Sequence, residues 1–391
     1  MRQILHCDLN NFYASVECAE NPKLKDTPMV VGGDESARHG IVLAKSQSAK
    51  DLGILTGETL YSARKKCKNL KVVLPNMALY EQYSKMAYEI YKNYTDQVEA
   101  FGIDECWLDV THCEKYLGLS TVDLANKIRE DIKRELNGCT ISVGVSFNKI
   151  FSKLGSDLKK PDATTVINYE NFKDIVYPLP IQDLLYVGRA TQKFLNLRGI
   201  YAIGQIVDVG EVTMSQWLGK RGAELYTYAS GNDNSPVKQI SLASTIKSMS
   251  HSTTTKRDIL NSQDFLIVIT RLAESISTRL RTQKLKGSVL TLNIKDNNFA
   301  LWQKQCTIPA TDLARDIINH SIKLKQYCTS LIIRSVGISV SNLKEYHYTQ
   351  LSFFDTTDFI QEIKEKTLDS IKQKYGPAAI KTAITMADDS I

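Results

Sequence analysis

The stretch AFGIDECWLDV, residues 100–110, sets Asp104 and Glu105 side by side in a run that otherwise reads as a buried strand. Buried carboxylates without a partner are costly or shift their pKa until they are neutral, so they persist where they are paired or bind a cation. Neighbouring strand residues point to opposite faces, so the two acids converge only where the backbone bends between two strands. Gly102 permits that bend. A third carboxylate is expected from a nearby strand end, and Asp8 in ILHCDLNN (4–11) is the candidate, since it closes an apolar strand just before a helix. Hard divalent cations such as Mg²⁺ take oxygen ligands from such sets. Read from spacing alone, the same residues serve equally as two strand-end caps and a surface turn residue.

Outward from this stretch, strand-like and helix-like segments alternate, in an α/β or α+β pattern: QILHCDL (3–9), NNFYASVECAE (10–20), PMVVGG (28–33) and GIVLAKS (40–46). Tyr80, Tyr83, Ala87, Tyr91 and Tyr94 recur every three or four residues, which predicts one core-facing side of a long helix. A charged helix over 121–137, the strand CTISVGVS (139–146) and a basic helix ended by Pro161 follow. Residues 178–235 read as short helices punctuated by glycines, and 231–248 as a linker. The last feature is an amphipathic helix over 358–376, to which no role is assigned.

The 391-residue chain is 43% hydrophobic and 24% charged, an ordinary globular composition for which two to four domains are expected. No apolar run reaches the roughly 18 to 20 residues of a membrane span, and the N-terminus lacks a signal-peptide pattern, so a cytoplasmic location is expected. The eight cysteines form no C-x-x-C pair, which predicts reduced packing residues. Charge is uneven: Lys238 to Lys344 holds 16 Lys and Arg against 6 Asp and Glu, a balance of +10 that leaves −4 elsewhere. One part of the molecule is therefore built for a polyanion, unless this is merely a solvated basic surface.

DLNNFYASVE (8–17), GIDECWLDVT (102–111), SVGVSFNKIFSKLGSDLKKPD (142–162) and KSMSHSTTT (247–255) together resemble the ordered signatures of Y-family translesion DNA polymerases, most closely the DNA polymerase IV group. The resemblance runs over nearly the whole chain. It implies an α+β multidomain fold: a right-hand polymerase with a palm on a ferredoxin-like sheet (1–18 and 76–165), small fingers (19–75) and a helical thumb with a helix-hairpin-helix (166–233). A linker (234–246), an α+β little finger (247–345) and a tail (346–391) complete it. The implied activity is low-fidelity, template-directed addition of dNMP to a primer 3′-hydroxyl, without proofreading, by a monomer in the bacterial cytoplasm. Two Mg²⁺ ions, with Mn²⁺ able to replace them, are implied at Asp8, Asp104, Glu105 and the main-chain carbonyl of Leu9.

Further assignments follow from the same resemblance. Tyr13, with Phe12 beside it, matches the steric gate that excludes a 2′-hydroxyl. Lys50 and Lys160 are expected on the triphosphate of the dNTP, and Ile41 and Leu43 over the nascent base pair. Gln47 and Lys50 stand where better-known members carry Tyr and Arg, and Lys lacks the bidentate fork of Arg. Gly188, in DLLYVGRATQKFLNLRGI (183–200), is expected to present a helix N-terminus to a phosphate of the primer-template DNA, although Ala190 replaces the second hairpin glycine. Lys247, Lys256, Arg257, Arg279, Lys286, Lys295 and Arg334 match the little finger that tracks the DNA backbone. QLSFF (350–354) is similar to the peptide that binds the bacterial sliding clamp, its β subunit, through Gln350, Leu351, Phe353 and Phe354.

Two other readings remain. VGGDES (31–36) is similar to the GGDEF signature of diguanylate cyclases, against a plain loop between two finger strands. The second is a catalytically silent DNA-binding protein tethered to the clamp.

Overall fold

The computed structural model describes residues 2–35, 38, 40–239, 246–328, 332–345, 359–376 and 379–386. The chain divides into two compact units, Met1–Gly33 with Gly40–Ala243, and Asp34–His39 with Ser244–Ile391. It is mixed α+β. Its strands are β1 (Ile4–Leu9), β2 (Met29–Gly32), β3 (Val42–Lys45), β4 (Lys71–Val73), β5 (Val98–Ala100), β6 (Glu105–Asp109), β7 (Ile141–Ser146) and β8 (Thr164–Ile167) in the first unit. The second holds β9 (Ser248–Ile259), β10 (Leu285–Asp296), β11 (Leu301–Thr311) and β12 (Ile333–Glu345).

The main sheet of the first unit has the order β5-β6-β1-β7-β8. Central β1 runs antiparallel to β6 and β7, and β8 is parallel to β7. Alternation sends Leu5, Cys7, Leu9, Cys106 and Leu108 to a core beneath the helices Met77–Lys92 and Thr121–Glu135. The tyrosine periodicity is realised there: Tyr80, Tyr83, Ala87 and Tyr91 are buried, while the helix ends at Lys92, so Tyr94 lies just beyond it. The opposite face carries His6, Asp8, Glu105 and Trp107, and against it lies the helix Lys149–Leu158. That helix approaches unusually closely, because a Cβ on Gly144 would stand 1.8 Å from the Ser152 carbonyl oxygen. Only glycine at 144 allows this packing.

Two further cores lie in the first unit. Sheet β3-β2-β4 gathers Val30, Val42, Ala49, Ile54, Leu60, Ala63 and Leu70. Short helices between Phe172 and Ala229 enclose Val176, Ile181, Leu195, Ile203, Met214 and Leu225, together with Phe151. All eight cysteines are free.

The second unit is a four-stranded antiparallel sheet, β11-β10-β12-β9. Helices Ser262–Thr282 and Ala314–Lys325 cover the face made by Met249, Leu290, Leu292, Ile294, Val336, Ile338 and Val340. The amphipathic helix Phe359–Tyr375 belongs to this unit: Glu362, Glu365 and Asp369 line one side of it and pair with Lys286 and Arg281. The helix expected in the C-terminal tail is thereby packed on the second unit. Residues 350–354, the expected clamp peptide, lie outside the described residues.

Candidate active site

The antiparallel register of β1 and β6 sets Asp8 directly opposite Glu105, so their side chains share one face. Gly102, at φ +92, makes the turn that precedes β6, and the Leu9 amide donates to the Asp104 carbonyl at 3.0 Å. Asp104 thus lies at the bend beside the other two acids. Burial pushes it up to about 6, with Asp8 and Glu105 adding like-charge repulsion. Asp8, nearly fully buried, is also raised by burial.

Two lysines from the far side answer this negative charge. Lys153 Nζ stands 3.3 Å from Asp8 Oδ2, 3.2 Å from Glu105 Oε1 and 2.9 Å from Asp157 Oδ2. Lys160 Nζ bonds Asp8 Oδ2 at 2.8 Å and Asp157 Oδ1 at 2.9 Å. Burial is opposed at Glu105 by His6 and Lys153, and the balance holds that carboxyl down at about 2. His6 Nε2 faces Glu105 Oε2 at 3.4 Å, and among the described residues neither atom has a hydrogen bond of good geometry. Burial lowers the His6 pKa, so the cation facing Glu105 is Lys153.

Among the described residues, no three His, Cys, Asp or Glu side chains are gathered into one metal-binding group. The structure brings Asp8 and Glu105 together with Lys153 between them, and leaves Asp104 a neighbour at the bend. The donor set still fits a hard divalent cation: all the candidate side chains are carboxylates, Glu105 Oε2 is buried with no hydrogen bond of good geometry among the described residues, and Asp104 is raised by burial and by its two acidic neighbours.

Around the acids, Tyr13 stacks on Tyr80 with ring centroids 4.3 Å apart and an interplanar angle of 12°, while Phe12 is buried behind it. Tyr80 in turn donates to Glu17 at 2.6 Å. In the small sheet, Ile41 is exposed and Leu43 half-buried. The Gln47 amide is engaged by Asp51 at 2.8 Å. Lys50 lies in the same short helix, Gln47–Asp51, near Lys45 on β3, whose pKa burial and Lys50 both depress. Lys45 and Lys153 went unnoticed in the sequence; a lysine ending an apolar strand and one at helical spacing from Asp157 were the available signals.

Gly188 caps the helix Arg189–Asn196 with nothing within 4 Å of a Cβ there. In the second unit Lys247, Lys256, Arg279 and Lys295 are exposed. Arg279 donates to the Ser250 carbonyl, Arg257 is forked onto Asp264, and Arg334 lies 5.1 Å from the Phe299 ring centroid. Lys286, expected on the DNA backbone, is half-buried, 3.0 Å from Glu362 and 3.7 Å from Asp312, and so ties the last helix to β10. The sheet face away from the helices carries Ser250, Ser252 and Thr254 opposite Ser339, Gly337 and Ser335, with Thr291 and Asn293 alongside. Such short polar side chains, a pattern not singled out in the sequence, leave this face free of bulky groups.

The chain matches the impB/mucB/samB family over residues 7–157 and the C-terminal domain of that family over residues 246–353. It is 44% identical to the DNA polymerase IV of Acetivibrio thermocellus, covering 99% of this chain and 98% of the relative. It is 34% identical to the DNA polymerase IV of Clostridium acetobutylicum, covering 98% of each. In fold it is similar to a solved Y-family DNA polymerase chimera, with a TM-score of 0.77 at 22% identity, over 88% of this chain and 99% of the other.

Proposed function

We propose, from the premise that the chain belongs to the impB/mucB/samB family and to its DNA polymerase IV group, that the Asp8–Glu105 face of the main sheet is the catalytic centre. The chain is a DNA-directed DNA polymerase of the translesion type. The observation that carries the site assignment is the pairing of two like-charged carboxylates directly across β1 and β6, one with a buried oxygen that has no hydrogen bond of good geometry among the described residues. A structural role alone gives no reason to tolerate it.

Asp8, Asp104, Glu105 and the Leu9 carbonyl would hold two Mg²⁺ ions, which when bound acidify the primer 3′-hydroxyl and neutralise charge on the triphosphate. Lys160, beside Asp8, and Lys50 supply positive charge to the β and γ phosphates, and Lys45 joins them. Gln47, already bonded to Asp51, contributes little to that grip. Tyr13, backed by Tyr80, sits under the deoxyribose and rejects a 2′-hydroxyl, while Ile41 and Leu43 roof the base pair. Palm, fingers and thumb correspond to three cores of the first unit, and the little finger to the second. DNA is held through its backbone by Gly188, Lys247, Lys256, Arg279 and Lys295 and the hydroxyl-lined sheet face, so affinity falls steeply with salt.

Primer extension with Mg²⁺ on undamaged and then lesion-bearing template tests the reading. Extension past a lesion is expected; DNA binding with no extension would mark a silent accessory protein instead. A cytoplasmic monomer is proposed from the family resemblance; among the described residues no helix is long and apolar enough to cross a membrane. Recruitment by a sliding clamp rests on the sequence of residues 350–354, and their deletion is expected to abolish clamp stimulation while sparing basal synthesis.

A further inference from the structure

We propose that Lys153 is a built-in counter-ion that holds Asp8 and Glu105 in their catalytic places while no divalent cation is bound, and that an incoming cation must displace it. The inference rests on the reading of those two acids as cation ligands. The register of β1 against β6 forces the carboxylates to face each other on a buried surface, where solvent screens their repulsion poorly. Left alone, they would separate or take up a proton.

The Lys153 ammonium lies between them, at 3.3 and 3.2 Å, with only 13% of its side chain exposed. Its position is imposed by the backbone. The helix that carries it lies on β7 at Gly144, too near for any side chain there, so the lysine is aimed at the acids before a ligand arrives. Lys160 does not duplicate the role, because it reaches Asp8 and Asp157 and, among the described residues, makes no ion pair with Glu105. A way out also exists. Asp157, four residues along the same helix, holds the ammonium at 2.9 Å, so Lys153 can release both ligands and remain paired. Lys153 is thus a positioning residue. It preforms the ligand pair and, by competing for it, weakens the apparent affinity for the cation.

The test is Mn²⁺ binding to the full chain, without DNA or nucleotide, followed by electron paramagnetic resonance, beside the thermal midpoint of the metal-free protein. Lys153→Met is expected to bind Mn²⁺ about fivefold or more tightly than the parent. It should melt earlier when metal-free and regain the parental midpoint at saturating Mn²⁺. Lys153→Gln should tighten binding in the same way, and Lys153→Arg should stay near the parent. A lysine that only props the fold would lower the midpoint and leave the affinity unmoved. Unchanged or weaker Mn²⁺ binding by Lys153→Met, with binding still abolished by Glu105→Gln, overturns the counter-ion role and leaves the ligand assignment standing. Binding that Glu105→Gln does not alter removes the ligand assignment, and the inference with it.

Discussion

Lys153 in the first unit, among three carboxylates, and Arg281 in the second, facing two, are both buried cations, yet their surroundings differ in kind. Arg281 donates from Nε to Asp369 at 2.6 Å, from Nη1 to Glu365 at 2.5 Å and to the Asp312 carbonyl at 2.9 Å, and from Nη2 to Asp369 at 3.1 Å. Glu365 also accepts from the Ala314 amide. In this cluster both oxygens of Glu365 and of Asp369 accept hydrogen bonds, while Asp312 Oδ1, near Lys286, accepts none among the described residues. Around Lys153, by contrast, Glu105 Oε2 and His6 Nε2 have no hydrogen bond of good geometry among the described residues, and burial pushes Asp104 up to about 6. A satisfied buried network fixes a structure, whereas an unsatisfied one marks a place that waits for something else.

The sharpest way to break this comparison is to remove charge from each cluster in turn. Asp104→Ala or Glu105→Ala should lower single-turnover dNMP incorporation at least a thousandfold, on the order of 4 kcal/mol, with DNA binding by filter retention nearly intact. Incorporation close to parental would mean that the unsatisfied cluster is not the catalytic one. Arg281→Ala should instead cost about 3 kcal/mol of stability by leaving Glu365 and Asp369 unpaired. In calorimetry that lowers the midpoint of the second unit by about 6 to 12 °C. A midpoint within a degree of the parent would show that the last helix is not held by this network.

Lys286→Met sharpens the contrast within the second unit, at about 2 kcal/mol of stability, because Glu362 loses a charged partner. The dependence of DNA affinity on salt should keep its slope; a slope smaller by about one would return Lys286 to the DNA-contacting set. The smallest effect separates packing from selection in the first unit. Tyr13→Ala should lose about tenfold in discrimination against ribonucleotides, measured as a ratio of kcat/KM values, while Phe12 and Tyr80 keep the fold. Unaltered discrimination would leave Tyr13 as a packing partner of Tyr80 only.

Much of the fold is legible along the chain because its signals are periodic. The tyrosines spaced by three and four residues mark a buried helix face, and Gly102 marks the bend before β6. The basic excess of Lys238–Lys344 is equally plain, but it does not tell which cations are free to meet a polyanion. Lys286 and Lys295 look alike in sequence. One is enclosed by Glu362 and Asp312 from distant segments, and the other is exposed. The hydroxyl-lined face was hidden for a similar reason: alternate Ser and Thr residues form a surface only when β9, β10 and β12 lie side by side.

Local chemistry therefore settled the α+β class, the adjacent acids at 104 and 105 and the candidacy of Asp8, since strand alternation, helical period and the cost of burying a carboxylate act over a few residues. Tertiary structure alone decided that Asp8 stands opposite Glu105, that Lys153 lies between them, and that the last helix closes onto Arg281 and Lys286. Those pairings join residues from about 50 to 150 positions apart, and charge acts through space, so only the folded chain brings such groups within reach of one another.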